Sequence, residues 1–249
     1  MSGALAVYRR EMLALWVTPL AWVLLVVFLL LEGGIFYAIV LHFATLPEPS
    51  ADSSAIQAFF GQDSVLLLIT LMLLCPALTM RSFAEERRSG TIESLLTAPV
   101  SAGSVVLGKY LAIVSTFVLI WAPTTLYVVI VGKTGHVDVG AVATSYLGLF
   151  CVGSSYLAIG VLMSALTRSQ LVALLLTVFV VFGLFVLSIG EYLLEDGWLR
   201  DLSAYLSMGG QMDDFSRGIV DSRHLVLDCS LIAFCLFGCA RVVQSWSRD

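Results

Sequence analysis

Six long apolar runs, separated by short polar segments, dominate the hydrophobic pattern of this 249-residue chain. Helices are the expected form for these runs, because lipid offers no partner for backbone N–H and C=O groups and a helix pairs them internally. At a rise of about 1.5 Å per residue, runs of this length cross or nearly cross the roughly 30 Å of hydrocarbon in a bilayer. The pattern therefore predicts an all-α integral membrane protein with a single transmembrane domain over residues 1–249. The predicted spans are residues 19–41, 64–80, 105–131, 141–166, 171–189 and 225–243.

Two of the polar segments also carry helical patterns. Residues 1–18 contain the stretch YRREMLALW (8–16), which has the mixture of apolar and charged positions of a short amphipathic helix on the inner membrane surface. A simple topology anchor explains the same residues equally well. Residues 190–224 mix leucines, a tryptophan and acids, and they predict one or two interfacial helices that cap the outer end between the fifth and sixth spans.

The composition agrees with a membrane protein, since 59% of the residues are hydrophobic, 12% are charged and the mean hydropathy is +0.97. The distribution of Lys and Arg indicates the orientation, because cytoplasmic loops are enriched in both. With the two termini on one side, nine of the 13 basic residues fall on that side and four on the other, which predicts cytoplasmic termini. The nine are Arg9, Arg10, Arg81, Arg87, Arg88, Lys109, Arg168, Arg241 and Arg248.

The chain carries none of the catalytic motifs that we sought. The GKT at 132–134 lacks the first glycine of a phosphate-binding loop, the three histidines lack HExxH spacing, and no GxSxG is present. We therefore predict a non-catalytic chain with no cofactor or metal of its own and no nucleic-acid partner.

Two acids lie in or near the predicted spans. Glu32, in the first span, would be costly if it faced hydrocarbon, so we expect it to face a neighbouring helix or a hydrated cleft. It is the candidate intramembrane polar site, and a proton or substrate role and a structural contact are both open. Asp228, near the outer end of the sixth span, is expected to reach the membrane surface.

A dense mixed-charge segment, RSFAEERRSGTIESLLTAPVS (81–101), follows the second span. The spacing of Ser82 and Glu85 is that of a capping box, and Gly90 is a helix breaker. Thr91–Thr97 predicts a further turn or two of helix, with Ile92, Leu95 and Leu96 on one face. On physical grounds the segment is either a docking element for a cytoplasmic protein or a solvated loop at the lipid surface.

The stretch AEERRSGTIESLLTAPVS (84–101) resembles the signature that follows the second helix in ABC-2 type permeases. These are the membrane subunits of one class of ATP-binding cassette transporter. Residues 8–33 resemble the opening of the gliding-motility-associated and copper-enzyme-maturation branches, and residues 212–226 resemble the segment before the sixth helix of the gliding-motility-associated branch. The core of the signature is formed by Glu86, Arg87, Gly90, Thr91 and Glu93.

The resemblance implies a coupling helix between the second and third spans that docks on a separate ATP-hydrolysing subunit, which binds ATP and Mg. It also implies a second permease subunit, identical or related, and a place in a bacterial inner membrane. The resemblance further implies that the segment LTRSQ (166–170) forms a smaller second contact with that subunit. The docking residues are then Glu85, Glu86, Arg87, Arg88, Gly90, Thr91, Ile92, Glu93, Leu95, Leu96 and Arg168.

Three functions stay open at this point. The first is a permease subunit that couples ATP hydrolysis by its partner to substrate export, with or without a periplasmic auxiliary protein. A second is an ion- or proton-coupled secondary transporter that uses Glu32, for which inverted repeats would be expected. The third is a membrane anchor that relays force from the ATPase to an external partner, and it needs the same docking segment.

Overall fold

The computed structural model describes residues 2–45, 55–61, 65–90, 101–134, 138–193 and 197–246 of the protein. Helices dominate these residues and no strand occurs among them, in agreement with the predicted all-α class. The helices are α1 (Ser2–Val17), α2 (Pro19–Thr45), α3 (Ala55–Phe60), α4 (Val65–Thr79), α5 (Ala84–Ser89), α6 (Ala102–Trp121), α7 (Thr125–Thr134), α8 (Val139–Leu166), α9 (Gln170–Leu193), α10 (Trp198–Tyr205), α11 (Met208–Ser216) and α12 (Ser222–Trp246).

Six helical stretches in the described part of the chain are long and apolar enough to cross a membrane, which confirms the predicted number. An even number of crossings brings the first and last helices to the same end of the bundle. Contacts agree with this, because Arg10 of α1 and Trp246 of α12 both contact α5. The six stretches are Pro19–Thr45, Val65–Ser89, Ala102–Lys133, Val139–Leu166, Gln170–Ser188 and Ser222–Trp246.

The third apolar run, predicted as one helix over 105–131, is interrupted in the structure. α6 ends at Trp121, a 3₁₀ turn occupies Ala122–Thr124, and α7 begins at Thr125. Pro123 is the physical reason, because its ring removes one backbone donor and clashes with the carbonyl of the preceding helical turn. The helical path nevertheless continues through the whole apolar run.

α8 is the central helix of the bundle and packs against α4, α6, α9, α11 and α12. Its Leu149, Val152 and Tyr156 side chains are fully buried. Gly160 allows α4 to come close, because a Cβ at this position would collide with the side chain of Thr79. Small residues serve membrane helices in this way, since packing rather than hydrophobicity holds such helices together.

α2, α9 and α12 form the outside of the bundle. Many of their large apolar side chains are exposed, and Leu30, Phe179 and Phe234 are each more than two-thirds exposed. In a membrane protein this surface faces lipid tails, so the exposure costs little.

The predicted external segment, 190–224, differs from the expected one or two interfacial helices. α9 continues into it as far as Leu193, and α11 packs into the bundle with Met208, Met212 and Phe215 buried. The Phe215 ring lies where a Cβ at Gly148 of α8 would be. α11 is therefore part of the packed core, while α10 stays largely exposed.

Candidate functional site

The described part of the predicted docking segment is the turn after α4 and the short helix α5. Ser82 does not cap this helix, contrary to the capping-box prediction. Instead, Ser164 near the end of α8 accepts hydrogen bonds from the backbone N–H groups of Phe83 and Ala84, at 3.1 and 3.2 Å, and donates one to the carbonyl of Met80 at 3.2 Å. A residue far along the chain therefore satisfies the free amides at the start of α5.

A cluster of four charged side chains ties α5 to the neighbouring helices. Lys109 of α6 is 1% exposed, and its Nζ lies 3.1 Å from Glu11 Oε1 and 3.0 Å from Glu86 Oε1. Arg10 Nη2 reaches the same two oxygens, at 3.1 and 2.7 Å. The backbone carbonyl of Ser82 accepts a further hydrogen bond from Lys109 Nζ, at 2.9 Å.

The cluster is balanced in charge, with two cations and two carboxylates. The ammonium of Lys109 also lies 5.1 Å from the centre of the Phe83 ring, within the range of a cation–π contact. A buried ion pair is favourable only where partners compensate for lost water, and removal of one partner is costly because a charge is left alone. These residues therefore hold α1, α5 and α6 in one arrangement.

The sequence reading missed this role of Glu11 and Lys109. Lys109 stands out as a lysine near the start of an apolar run, but the sequence contains no signal for its partners. The contact between α1 and α6 also needs Gly108, where a Cβ would lie 2.8 Å from the carbonyl oxygen of Ala4.

Arg87 and Arg88 have different surroundings. Arg87 donates to the carbonyl of Ala165 at the end of α8, at 3.0 Å, and its guanidinium lies 4.6 Å from the ring centre of Trp246. Arg88 is exposed. Of these two arginines, Arg88 is thus the one that a partner protein can reach without breaking contacts within the chain.

The remaining docking candidates fall into two groups. Arg168, in the turn between α8 and α9, is exposed and lies close enough to Arg87 to interact with it electrostatically. Gly90 ends α5 in the left-handed conformation, with a φ of 72°, which suits its expected role as a helix breaker. Glu85, in the first turn of α5, is partly exposed, and five candidates lie outside the described residues: Thr91, Ile92, Glu93, Leu95 and Leu96.

Glu32 faces neighbouring helices inside the bundle, and its side chain is fully buried. The hydroxyl groups of Thr70 in α4 and Tyr127 in α7 lie near it. Thr70 donates to the carbonyl of Leu66, and neither carboxylate oxygen of Glu32 has a hydrogen bond of ordinary geometry to the described residues. An ionised carboxylate in such a place would be costly.

Asp228 is 1% exposed and lies inside the bundle, contrary to the expectation that it reaches the surface. Its two oxygens accept hydrogen bonds from Ser155 of α8, at 2.9 Å, and from the side-chain amide of Gln211 of α11, at 2.5 Å. The inward packing of α11 is the reason, because it places Gln211 over this carboxylate. The Asp228 carboxylate therefore tethers α11 to the rest of the bundle.

Together these features define a multi-pass helical membrane protein with a charged element held firmly at the end of the bundle where α1 and α12 meet. A family model described as ABC-2 family transporter protein matches residues 34–208. The chain therefore belongs to the ABC-2 transporter family, in agreement with the resemblance in the signature segment. The family is a membrane component of transporters, generally non-catalytic, and membership implies an ATP-binding cassette partner. No curated protein matches the chain.

Proposed function

We propose that this protein is the permease subunit of an ATP-binding cassette transporter of the gliding-motility-associated or copper-enzyme-maturation branch. It pairs with a second permease subunit in a bacterial inner membrane, with both termini in the cytoplasm. Residues 85–97 dock on a separate subunit that binds ATP and Mg and hydrolyses the nucleotide. Hydrolysis then drives substrate export or a mechanical signal to a periplasmic partner.

One observation carries this proposal: α5, at the start of the docking segment, is bound to four other helices. Glu86 joins it to α1 and α6, Arg87 to the ends of α8 and α12, and Ser164 of α8 caps its first turn. A push on the docking segment is therefore passed to several helices at once. Such discrete, packed contacts are what an ATP-driven closure needs to move membrane helices.

The contact with the ATPase is assigned to the residues that the fold leaves accessible or that follow α5. Ile92, Leu95 and Leu96 form an apolar face that fills a groove on the ATPase. Arg88 and Arg168 are exposed and pair with acids on that surface. Arg87, by contrast, serves within the permease.

The test is co-purification of the tagged permease with an ATP-binding subunit encoded beside it. Leu95 and Leu96 are both changed to Asp, which places two charges on the docking face. The matched control changes Ile219 and Val220 to Asp, because these neighbours are exposed, apolar and at the opposite end of the bundle. We expect loss of the ATPase from the docking variant alone, and equal recovery with both variants would contradict the proposal.

A secondary transporter that uses Glu32 is the competing function, and the buried, unpaired state of this acid favours it. Transport in proteoliposomes separates the two. Transport by a permease must stop when the ATP-binding subunit is omitted. Transport by a secondary transporter continues without that subunit on an ion or proton gradient.

A further inference from the structure

A cavity of about 220 Å³ lies beside the charged cluster, between α1, the start of α2, the end of α4, α5 and α6. Its polar lining consists of Arg10, Glu11, Thr18, Arg81, Ser82, Glu85, Glu86 and Lys109. Sites for drug-sized ligands usually occupy about 300–1,000 Å³, so this cavity suits a smaller polar group.

The cavity contains oxygen atoms that lack a partner. Ser82 Oγ, Glu85 Oε2 and Glu86 Oε2 are all buried, and none has a hydrogen bond to the described residues. Ser82 itself is 9% exposed, and the nearest guanidinium contact of Glu85, from Arg81, is 3.8 Å long, beyond hydrogen-bond range. The carboxylate oxygens only accept, so the cavity needs a ligand that donates several hydrogen bonds.

The charges around the cavity separate by depth. Lys109 is buried within it and Glu86 and Glu11 are 13% and 17% exposed, while the side chains of Arg10, Glu85 and Arg81 are 56%, 44% and 37% exposed and form its rim. The lining has three cations and three carboxylates, so its net charge is zero. A ligand of no net charge keeps the site neutral. An ammonium inside and a phosphate at the rim would satisfy both sets of groups.

The walls of the cavity are apolar towards the centre of the bundle, where Leu15, Leu20, Leu78 and Ile113 line it. Trp16 and Trp22 pack edge to face beside these residues, and tryptophans favour the level of the lipid headgroups. The cavity therefore lies where a polar headgroup meets its acyl chains.

We propose that this cavity binds the headgroup of a phospholipid with a primary amine, of the phosphatidylethanolamine type. The ammonium donates to Ser82 Oγ, Glu85 Oε2 and Glu86 Oε2, and the phosphate contacts Arg10 and Arg81. The acyl chains leave along Leu20 and Leu78. The bound lipid thus joins α5 to the membrane surface, and its binding requires no ATP-binding subunit.

The test uses native mass spectrometry to measure which lipids the purified full chain retains. All the lipids compared have the same dioleoyl chains. Phosphatidylethanolamine is compared with phosphatidylcholine, which has the same net charge but no N–H donor, and with anionic phosphatidylglycerol. Two or three charge-assisted hydrogen bonds predict a preference for the amine lipid of about tenfold or more. Glycerophosphoethanolamine, which has the headgroup without acyl chains, is added as a competitor.

The variant for this test is Ser82→Ala with Glu85→Gln, because neither side chain takes part in the Lys109 cluster. We expect its ethanolamine-to-choline ratio to fall close to one, while Asp201→Asn at the opposite end of the bundle keeps the ratio of the unchanged protein. Equal retention of the two zwitterionic lipids, preference for phosphatidylglycerol, or an unchanged ratio in the double variant would overturn the proposal. The proposal would also be overturned if glycerophosphoethanolamine displaced the bound lipid at the same concentration as phosphatidylethanolamine does. The site would then recognise a soluble amine and not a lipid.

Discussion

Lys109 Nζ and Glu86 Oε1 lie 3.0 Å apart, and this contact joins α5, in the mixed-charge segment 81–101, to α6. Lys109 is buried, so its ammonium loses one of its compensating partners if Glu86 moves away. Glu11 completes the site from α1. Movement of α5 relative to α1 and α6 must therefore break or carry with it a buried ionic contact, which explains why α5 is part of the bundle rather than a free loop.

Removal of this ammonium should destabilise the protein. Lys109→Met keeps the length of the side chain but leaves Glu11 and Glu86 with Arg10 as their shared cation. We expect a loss of roughly 3–5 kcal/mol in the free energy of unfolding, the range for breaking a buried pair. Thermal unfolding of the purified protein in detergent measures it.

Two further variants identify the cause of that loss. Lys133→Met, at an exposed position at the other end of the bundle, should leave the midpoint of thermal unfolding unchanged. Lys109→Met combined with Glu86→Gln should regain part of the stability, because one uncompensated carboxylate is removed with the cation. No recovery in the double variant would mean that Lys109 acts through packing instead.

Ser164 should control the order of α5. Ser164→Ala removes the acceptor for the amides of Phe83 and Ala84, and loss of a capping hydroxyl costs about 1 kcal/mol. Hydrogen exchange in a peptide covering residues 80–90 should become faster, while peptides within α8 change little. Ser230→Ala is the control, since this serine bonds to its own helix; unchanged exchange at 80–90 would show that the cap adds no local stability.

Glu32 offers a test between the two functions. Glu32→Gln keeps the shape of the side chain and removes the charge, so we expect a thermal midpoint that is unchanged or higher. ATP-dependent activity with the partner subunit should also persist. If the unchanged protein transports on an ion or proton gradient without the ATP-binding subunit and Glu32→Gln abolishes that transport, the secondary transporter is favoured.

Asp228 should hold α11 in the bundle. Asp228→Ala leaves the Gln211 amide and the Ser155 hydroxyl without their acceptor, at about 1–3 kcal/mol for each buried group. Thermal unfolding of Asp228→Ala, Gln211→Ala and the double variant gives the coupling between the two residues, expected at about 0.5–3 kcal/mol. Strictly additive effects would show that the two side chains are not linked, and Asp201→Ala on the exposed helix α10 is the control.

The sequence by itself determined the class of the protein and its number of spans. The spans could be predicted because two free-energy costs depend on each run alone. They are the cost of exposing a long apolar run to water and the cost of leaving its backbone unpaired in lipid. The position of the charged segment between the second and third spans is equally local, and so is the end of α5 at Gly90. The break at Pro123 was not predicted, although its signal is local, since proline acts on its own helical turn.

Only the tertiary structure decided which polar groups meet. Ser164 caps α5 in place of Ser82, Lys109 lies between Glu11 and Glu86, and Asp228 is covered by α11. Each of these contacts joins residues on different helices, and it depends on the rotation and depth of every helix involved. Hydropathy averages over a helix and carries no information about its rotation, so the spans were predictable while the contacts that link them were not.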